Sequence, residues 1–163
     1  MRKFEKVSYD EFSKHFGYDK ELYESYNIPI RKTKSSAGYD FELIRDYILK
    51  KDDTVLIPLG VKASMYDGEF LMLVVRSSVG TKKNVRMLNQ VGIIDSDYYA
   101  NLENEGHMFV KLQNHGKEDI VLKKGEGIIQ GIFMNFLTTD DEEKIENTRS
   151  GGFGSTNEER EES

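Results

Sequence analysis

The sequence predicts an all-β sandwich or barrel with a short helical N-terminus and a polar C-terminal tail. Two observations carry this. From about residue 37 onward, short apolar runs are separated by turn signals about every 8–12 residues, which favours a sandwich or barrel over βαβ units. The run Ile128-Ile129-Gln130-Gly131-Ile132-Phe133 is nearly all apolar, as in a strand covered on both faces. At 163 residues the chain makes one domain with a core of useful size.

Each element has its own local reason. Ser8 followed by Glu11 fits a capping box, and Tyr9, Phe12 and Phe16 recur at helical spacing up to Gly17. A second short helix is expected over Asp19 to Tyr26, and Pro29 stops helical continuation. The strand candidates that follow are Thr54 to Val61, Phe70 to Val75 after the turn Asp67-Gly68, Met108 to Leu112, and Asp119 to Leu122 after His115-Gly116. The expected organisation is a helical extension over 1–30, a β domain over 31–138 and a flexible arm over 139–163.

Composition excludes several classes. There is no cysteine, hence no disulfide framework, cysteine metal site or thiol nucleophile. No apolar run approaches the roughly 18 residues of a membrane span, and the charged start does not lead into a secretory signal, so no membrane is expected and a cytoplasmic location is. The net charge of −6 is matched by the segment from Asp140 to Ser163 alone, where nine acids face three bases. The body is therefore near neutral, which argues against polymeric nucleic acid as a partner. The tail reads as solvated, yet it holds Gly151-Gly152-Phe153-Gly154-Ser155-Thr156.

Four short polar stretches beside apolar runs carry the chemistry. They are Ala37-Gly38-Tyr39-Asp40, Val75-Arg76-Ser77-Ser78-Val79-Gly80, Asn89 to Tyr98, and Arg149 to Thr156. Asp95 ends an apolar strand, where a carboxylate is partly desolvated and suited to orienting and deprotonating a water. Taken alone it reads more readily as a turn aspartate accepting backbone hydrogen bonds. The Arg76 guanidinium offers a planar fork for phosphate oxygens, with serine hydroxyls and backbone N–H groups beside it; the alternative is an arginine paired with a structural carboxylate. The Gly-Gly-Phe-Gly-Ser-Thr run has the composition of an anion cradle with an aromatic placed to stack on a base, or of plain linker. His15, His107 and His115 show no metal spacing, and Glu103-Asn104-Glu105-Gly106 reads as a solvent loop.

Taken together, these stretches resemble the homotrimeric dUTP diphosphatases (dUTPases) from about Ser35 to Thr156, with Gly125 to Phe133 similar to the family's fourth motif. The resemblance implies a jelly-roll-like β fold, three shared sites per trimer, and a C-terminal arm that closes over a site. The implied reaction is hydrolysis of dUTP to dUMP and pyrophosphate, which keeps uracil out of DNA and supplies dUMP for thymidylate synthesis. By position, Asp95 would hold the water that attacks the α-phosphorus. Asn89 and the hairpin backbone around Gly92 and Ile94 would read uracil and exclude a thymine methyl. Tyr98 would pack on the deoxyribose and reject a 2′-hydroxyl. Ser77, with Ser78 beside it, would contact phosphate near the breaking bond while Arg76 orders the chain, and Gln130 would hold the α-phosphate. Phe153 would stack on uracil, and Arg149, Gly154, Ser155 and Thr156 would hold the outer phosphates. Mg²⁺ would be bound mainly by the triphosphate and waters, with Asp40 reached only through a water.

The sequence departs from the family pattern in places. Ser78 stands at a usual glycine, Tyr99-Ala100 replaces Arg-Gly, residues 101–107 look inserted, Arg149 lies one residue closer to Phe153, and Asn157 replaces a glycine. A related family, dCTP deaminase, needs a glutamate where Lys111 stands, and lysine cannot replace that proton shuttle. The N-terminal helices and the 101–107 insertion are open surfaces for a regulatory protein partner.

Overall fold

The computed structural model describes residues 1–143 and 145. Strand β1 (Lys3–Lys6) leads into helices α1 (Tyr9–Phe16) and α2 (Lys20–Ser25). Strands β2 (Tyr39–Glu42), β3 (Tyr47–Leu49), β4 (Thr54–Pro58), β5 (Val61–Ser64) and β6 (Glu69–Val75) follow, then helix α3 (Ser77–Lys83). Strands β7 (Val85–Met87) and β8 (Gly92–Asp95), a 3₁₀ turn (Ser96–Tyr98), β9 (Phe109–Asn114), β10 (Ile120–Leu122) and β11 (Gly127–Asn135) complete the body.

The strands pair antiparallel in a four-stranded sheet ordered β2-β11-β6-β8, a three-stranded sheet ordered β4-β9-β7, and the ribbons β1-β5 and β3-β10. Both sheets feed one buried cluster: Leu71, Leu73, Ile94 and Ile129 come from the first, Ile57, Val110, Leu112 and Met87 from the second. The pleat explains the choice. In β6 alternate residues Glu69, Leu71 and Leu73 are buried, while Phe70, Met72 and Val74 face the other side half-buried. This is the expected all-β, jelly-roll-like architecture. Among the described residues no helix is long and apolar enough to cross a membrane.

The apolar stretch from Thr54 to Val61, expected as one strand, is split at Leu59-Gly60. Gly60 sits at φ +68, where an added Cβ would meet Ile44 Cδ1 at 2.6 Å, so only glycine turns the chain here. β4 then joins β9 and β5 joins β1. The hairpin expected at Asn89 to Tyr98 is also different: β7 pairs with β9 and β8 pairs with β6, so the Leu88–Val91 turn bridges two sheets.

The first helix ends as its residues dictate. Ser8 Oγ accepts from the Glu11 N–H at 3.1 Å, and Gly17 closes the C-terminus by donating to the Ser13 carbonyl. The capping box is only half formed, because the Ser8 N–H goes to Glu105 Oε2 at 3.1 Å and Glu11 turns inward. Phe4, Val7, Phe12 and Tyr26 pack in the same buried cluster as the sheets. Arg2 adds a fork onto buried Glu69, with Nη2 at 2.6 Å from Oε1 and Nε at 2.8 Å from Oε2.

Candidate active site

One group of expected site residues gathers where β2, β6 and β11 meet. Gln130 lies opposite Asp40 on one side and Val74 on the other. Gly38 leaves room for its side chain, since a Cβ there would meet Gln130 Oε1 at 2.5 Å. Arg76 leaves β6 just beyond. Its Nε lies 3.2 Å from Asp40 Oδ1, its Nη1 donates to the Gly127 carbonyl at 3.2 Å, and its backbone N–H donates to Ile128 O. The guanidinium is thus engaged with a nearly buried carboxylate and a strand carbonyl, which orders this corner. Ser77 and Ser78 follow in the exposed first turn of α3. Nothing in their residue types announced a helix, since the β6 run simply stops at Arg76 and Val79 alone of α3 is buried.

A second group lies at the other end of the same sheet. Asp95 pairs with Phe70, and Ile94 with Leu71. The pleat buries Ile94 and leaves Ile93 and Asp95 outward. A shallow pocket of about 230 Å³ is formed there by Phe70, Ile93, Asp95 and Phe136. The sequence suggested a partly desolvated carboxylate. In the single chain Asp95 is instead exposed, because the alternation that buries Ile94 must turn its neighbour out. The apolar residues beside it are themselves partly open, with Ile93 53% and Phe136 47% exposed.

The two groups are far apart within one chain. Asp95 stands opposite Phe70, and Arg76 lies six residues further along the β6 segment. At about 3.3 Å per residue the separation is roughly 20 Å. No single chain brings Asp95 to Arg76 and Gln130.

Tyr98 closes the 3₁₀ turn after Asp95 and is 5% exposed. Its hydroxyl donates to the His107 carbonyl at 2.8 Å and accepts from Asn104 Nδ2 at 2.9 Å, while Asn101 Nδ2 donates to its carbonyl at 2.9 Å. Asn89 and Gln90 lie exposed in the β7–β8 turn, with Gln90 at φ 59. Arg149, Phe153, Gly154, Ser155 and Thr156 lie outside the described residues.

The segment read as a solvent loop is built into the body. Glu105 accepts from Ser8 Oγ at 2.5 Å and from Lys62 Nζ at 3.0 Å, and Asn101 is buried. The histidines also differ from expectation. His15, His107 and Glu11 bring one ligand atom each to within 4.8 Å of one another. His107 Nε2 nevertheless accepts the Gly60 N–H at 2.9 Å, so its proton belongs on Nδ1, directed at Glu11 Oε1 3.0 Å away. A metal at Nδ1 would require loss of that proton too, leaving an imidazolate, so the trio works as a hydrogen-bonded staple. Burial pushes His107 down to about 4 against the opposing pull of Glu11. Burial alone would raise the Glu11 carboxyl, but hydrogen bonds from Lys14 and His107 outweigh it and hold it below the ordinary range.

The fold is jelly-roll-like, and the comparisons with known proteins give its class as that of the dUTP-hydrolysing enzymes. A family model described as dUTPase matches residues 24–157, and the chain belongs to the dUTPase family. It is 48% identical over 131 residues to a deoxyuridine 5′-triphosphate nucleotidohydrolase of Lactococcus lactis, covering 80% of this chain and 87% of that protein. The crystal structure of the Streptococcus mutans dUTPase superposes with a TM-score of 0.68 at 39% identity, covering 84% of this chain and 98% of that one. A mutant dUTPase from phage phi11 of S. aureus, described with a structural Mg(II) ion, shares the fold at 17% identity, with a TM-score of 0.67 over 92% of this chain and 99% of that one.

Proposed function

We propose that this chain hydrolyses dUTP to dUMP and pyrophosphate in a homotrimer, with a water held by Asp95 attacking the α-phosphorus. Family membership supports the reaction. The observation that carries the arrangement is the separation of Asp95 from Arg76, roughly 20 Å along one sheet, and from Gln130, roughly 13 Å along it and two strands over. A phosphate chain held by one cannot reach the other unless a second copy supplies it.

In the assembled site the water oxygen forms the new bond to the α-phosphorus as the α–β bridging oxygen leaves with pyrophosphate. Asp95 takes the water proton. Ser77, Ser78 and Gln130 donate to phosphate oxygens, and Arg76 fixes their corner through Asp40 and Gly127. Asn89 and the backbone near Gly92 and Ile94 satisfy the uracil edge. A site that pairs that edge leaves polar groups unmatched against cytosine, the strong form of discrimination. Tyr98 packs against the deoxyribose. The arm, through Arg149, Phe153, Gly154, Ser155 and Thr156, covers base and outer phosphates.

Mg²⁺ fits this donor set as a triphosphate-borne ion. Asp40 in the phosphate corner is already engaged by Arg76 Nε at 3.2 Å, so it would serve the ion through a water. Bound there, the ion neutralises phosphate charge. A regulatory protein partner is a second reading, supported by exposed Tyr18 and Leu102 on the helical segment and the insertion. Serine at both positions should release any partner captured by the native chain without altering turnover.

The deciding experiment is pyrophosphate release with Mg²⁺ from dUTP, dCTP, dTTP and UTP in parallel. Release from dUTP alone supports chemistry and selectivity together. Silence with all four, in an intact trimer, would overturn the reading.

A further inference from the structure

The assigned site residues stop at Tyr98, but the structure continues behind it. The Tyr98 hydroxyl is held from two sides, by Asn104 Nδ2 at 2.9 Å and by the His107 carbonyl at 2.8 Å. The Tyr98 backbone is held by Asn101 Nδ2 at 2.9 Å. Asn104 Oδ1 in turn accepts from Asn101 Nδ2 at 2.8 Å and from the Gly106 N–H at 3.0 Å. Gly106, at φ +88, lies against this turn so closely that a Cβ would meet the Tyr98 carbonyl oxygen at 2.8 Å. His107 is fixed by Glu11 of α1 and by the Gly60 N–H.

A residue that separates deoxyribose from ribose must refuse to move. A 2′-hydroxyl adds one oxygen, and a ring free to shift by an ångström would admit it. Packing alone holds a ring in plane, whereas two directional hydrogen bonds to its hydroxyl fix its advance along the ring axis. We propose that Asn104 is a positioning residue for sugar selection, acting through the Tyr98 hydroxyl, with the 101–107 loop as its mount and α1 as the anchor of that mount. The inference rests on the reading that Tyr98 packs on the deoxyribose.

The test is steady-state hydrolysis of dUTP and UTP by the full chain carrying Asn104→Asp. This change keeps the Oδ1 acceptor that shapes the loop and turns the Nδ2 donor into an acceptor that competes with the His107 carbonyl for the one Tyr98 hydroxyl proton, so the hydroxyl can be held from one side only. The expected result is a dUTP-over-UTP preference in kcat/KM reduced about tenfold, mostly through a lower KM for UTP. Tyr98→Phe, which removes the hydroxyl and keeps the ring, should give a similar loss. The double variant should lose no more than Tyr98→Phe alone, because without the hydroxyl Asn104 has nothing left to hold. If Asn104→Asp melts earlier but keeps the native preference, Asn104 is merely structural and the proposal fails. If Asn104→Asp does not fold, Tyr98→Phe decides alone, and an unchanged preference there overturns it. Tyr98→Leu separates the layers: an unchanged preference there removes Tyr98 from sugar selection altogether, whereas its loss beside an unaffected Asn104→Asp sinks only the present inference.

Discussion

At the residue scale, Asp95 is the position proposed for the chemistry and His107 the one that sets an acid response. Asp95 faces outward beside Phe70, Ile93 and Phe136. Asp95→Asn removes the proton acceptor and keeps the shape. Turnover of dUTP should fall about 1,000-fold while nucleotide binding and the trimer persist, as read by pyrophosphate release and isothermal titration. Near-native turnover would take Asp95 out of its role. His107 is held at about 4, below its ordinary 6.5. The folded state therefore binds that proton less well than the unfolded chain does. Its contribution is complete above about pH 6.5 and is lost as pH falls toward 4. The charged groups around it are Glu11, Lys14, His15 and Glu105. The Glu11 and Glu105 carboxyls are themselves held low and give way only below their ordinary range of 4.5. Melting should drop between pH 7 and pH 5 in the native chain and less in His107→Gln, with about 2–3 kcal/mol at stake by pH 4. Equal slopes in the two proteins would refute the assignment.

At the element scale, the N-terminal segment and the 101–107 loop support each other. Glu105 completes the α1 cap that Glu11 leaves open, and Glu11 completes His107 instead. The exchange is reasonable because Glu11 sits on the buried face of α1, where a carboxylate needs partners. β1 extends this union by pairing with β5, in register from Lys3 opposite Ser64 to Lys6 opposite Val61. Removing residues 1–28 would strip Phe4, Val7, Phe12 and Tyr26 from the common core, at a cost of several kcal/mol for Phe12 alone. Partner searches are better made with surface changes than with that deletion.

At the scale of the whole molecule, the proposed site residues fall into two groups separated along one sheet, with Asp95 opposite Phe70 and Gln130 opposite Val74. Subunits inactivated at Asp95→Asn and at Gln130→Ala should complement when unfolded and refolded together. If different copies supply the two groups, about one quarter of the sites in an equal mixture would be intact. No recovery would show that one chain supplies both. Truncation after Thr138 removes the arm motif and leaves the described β body. It should abolish most turnover while sedimentation still shows the trimer, and full activity would dismiss the arm.

Much was legible without coordinates. The β class followed from turn spacing, and β6 and β11 from continuous apolar runs, because such runs bury wherever they lie. Ser8 and Gly17 marked the ends of α1 because caps are local chemistry. Arg76 and Asp95 were legible as polar residues beside apolar runs, and Asp40, Tyr98 and Gln130 through the family resemblance. The split at Gly60, the pairing of β7 and β8 with different sheets, the exposure of Asp95, and the contacts of Glu105, Asn104 and His107 were not. Each is set by what approaches from a distant part of the chain. Short-range periodicity records which residues a strand will bury, and it holds no information about which strand, loop or second copy arrives to cover the rest.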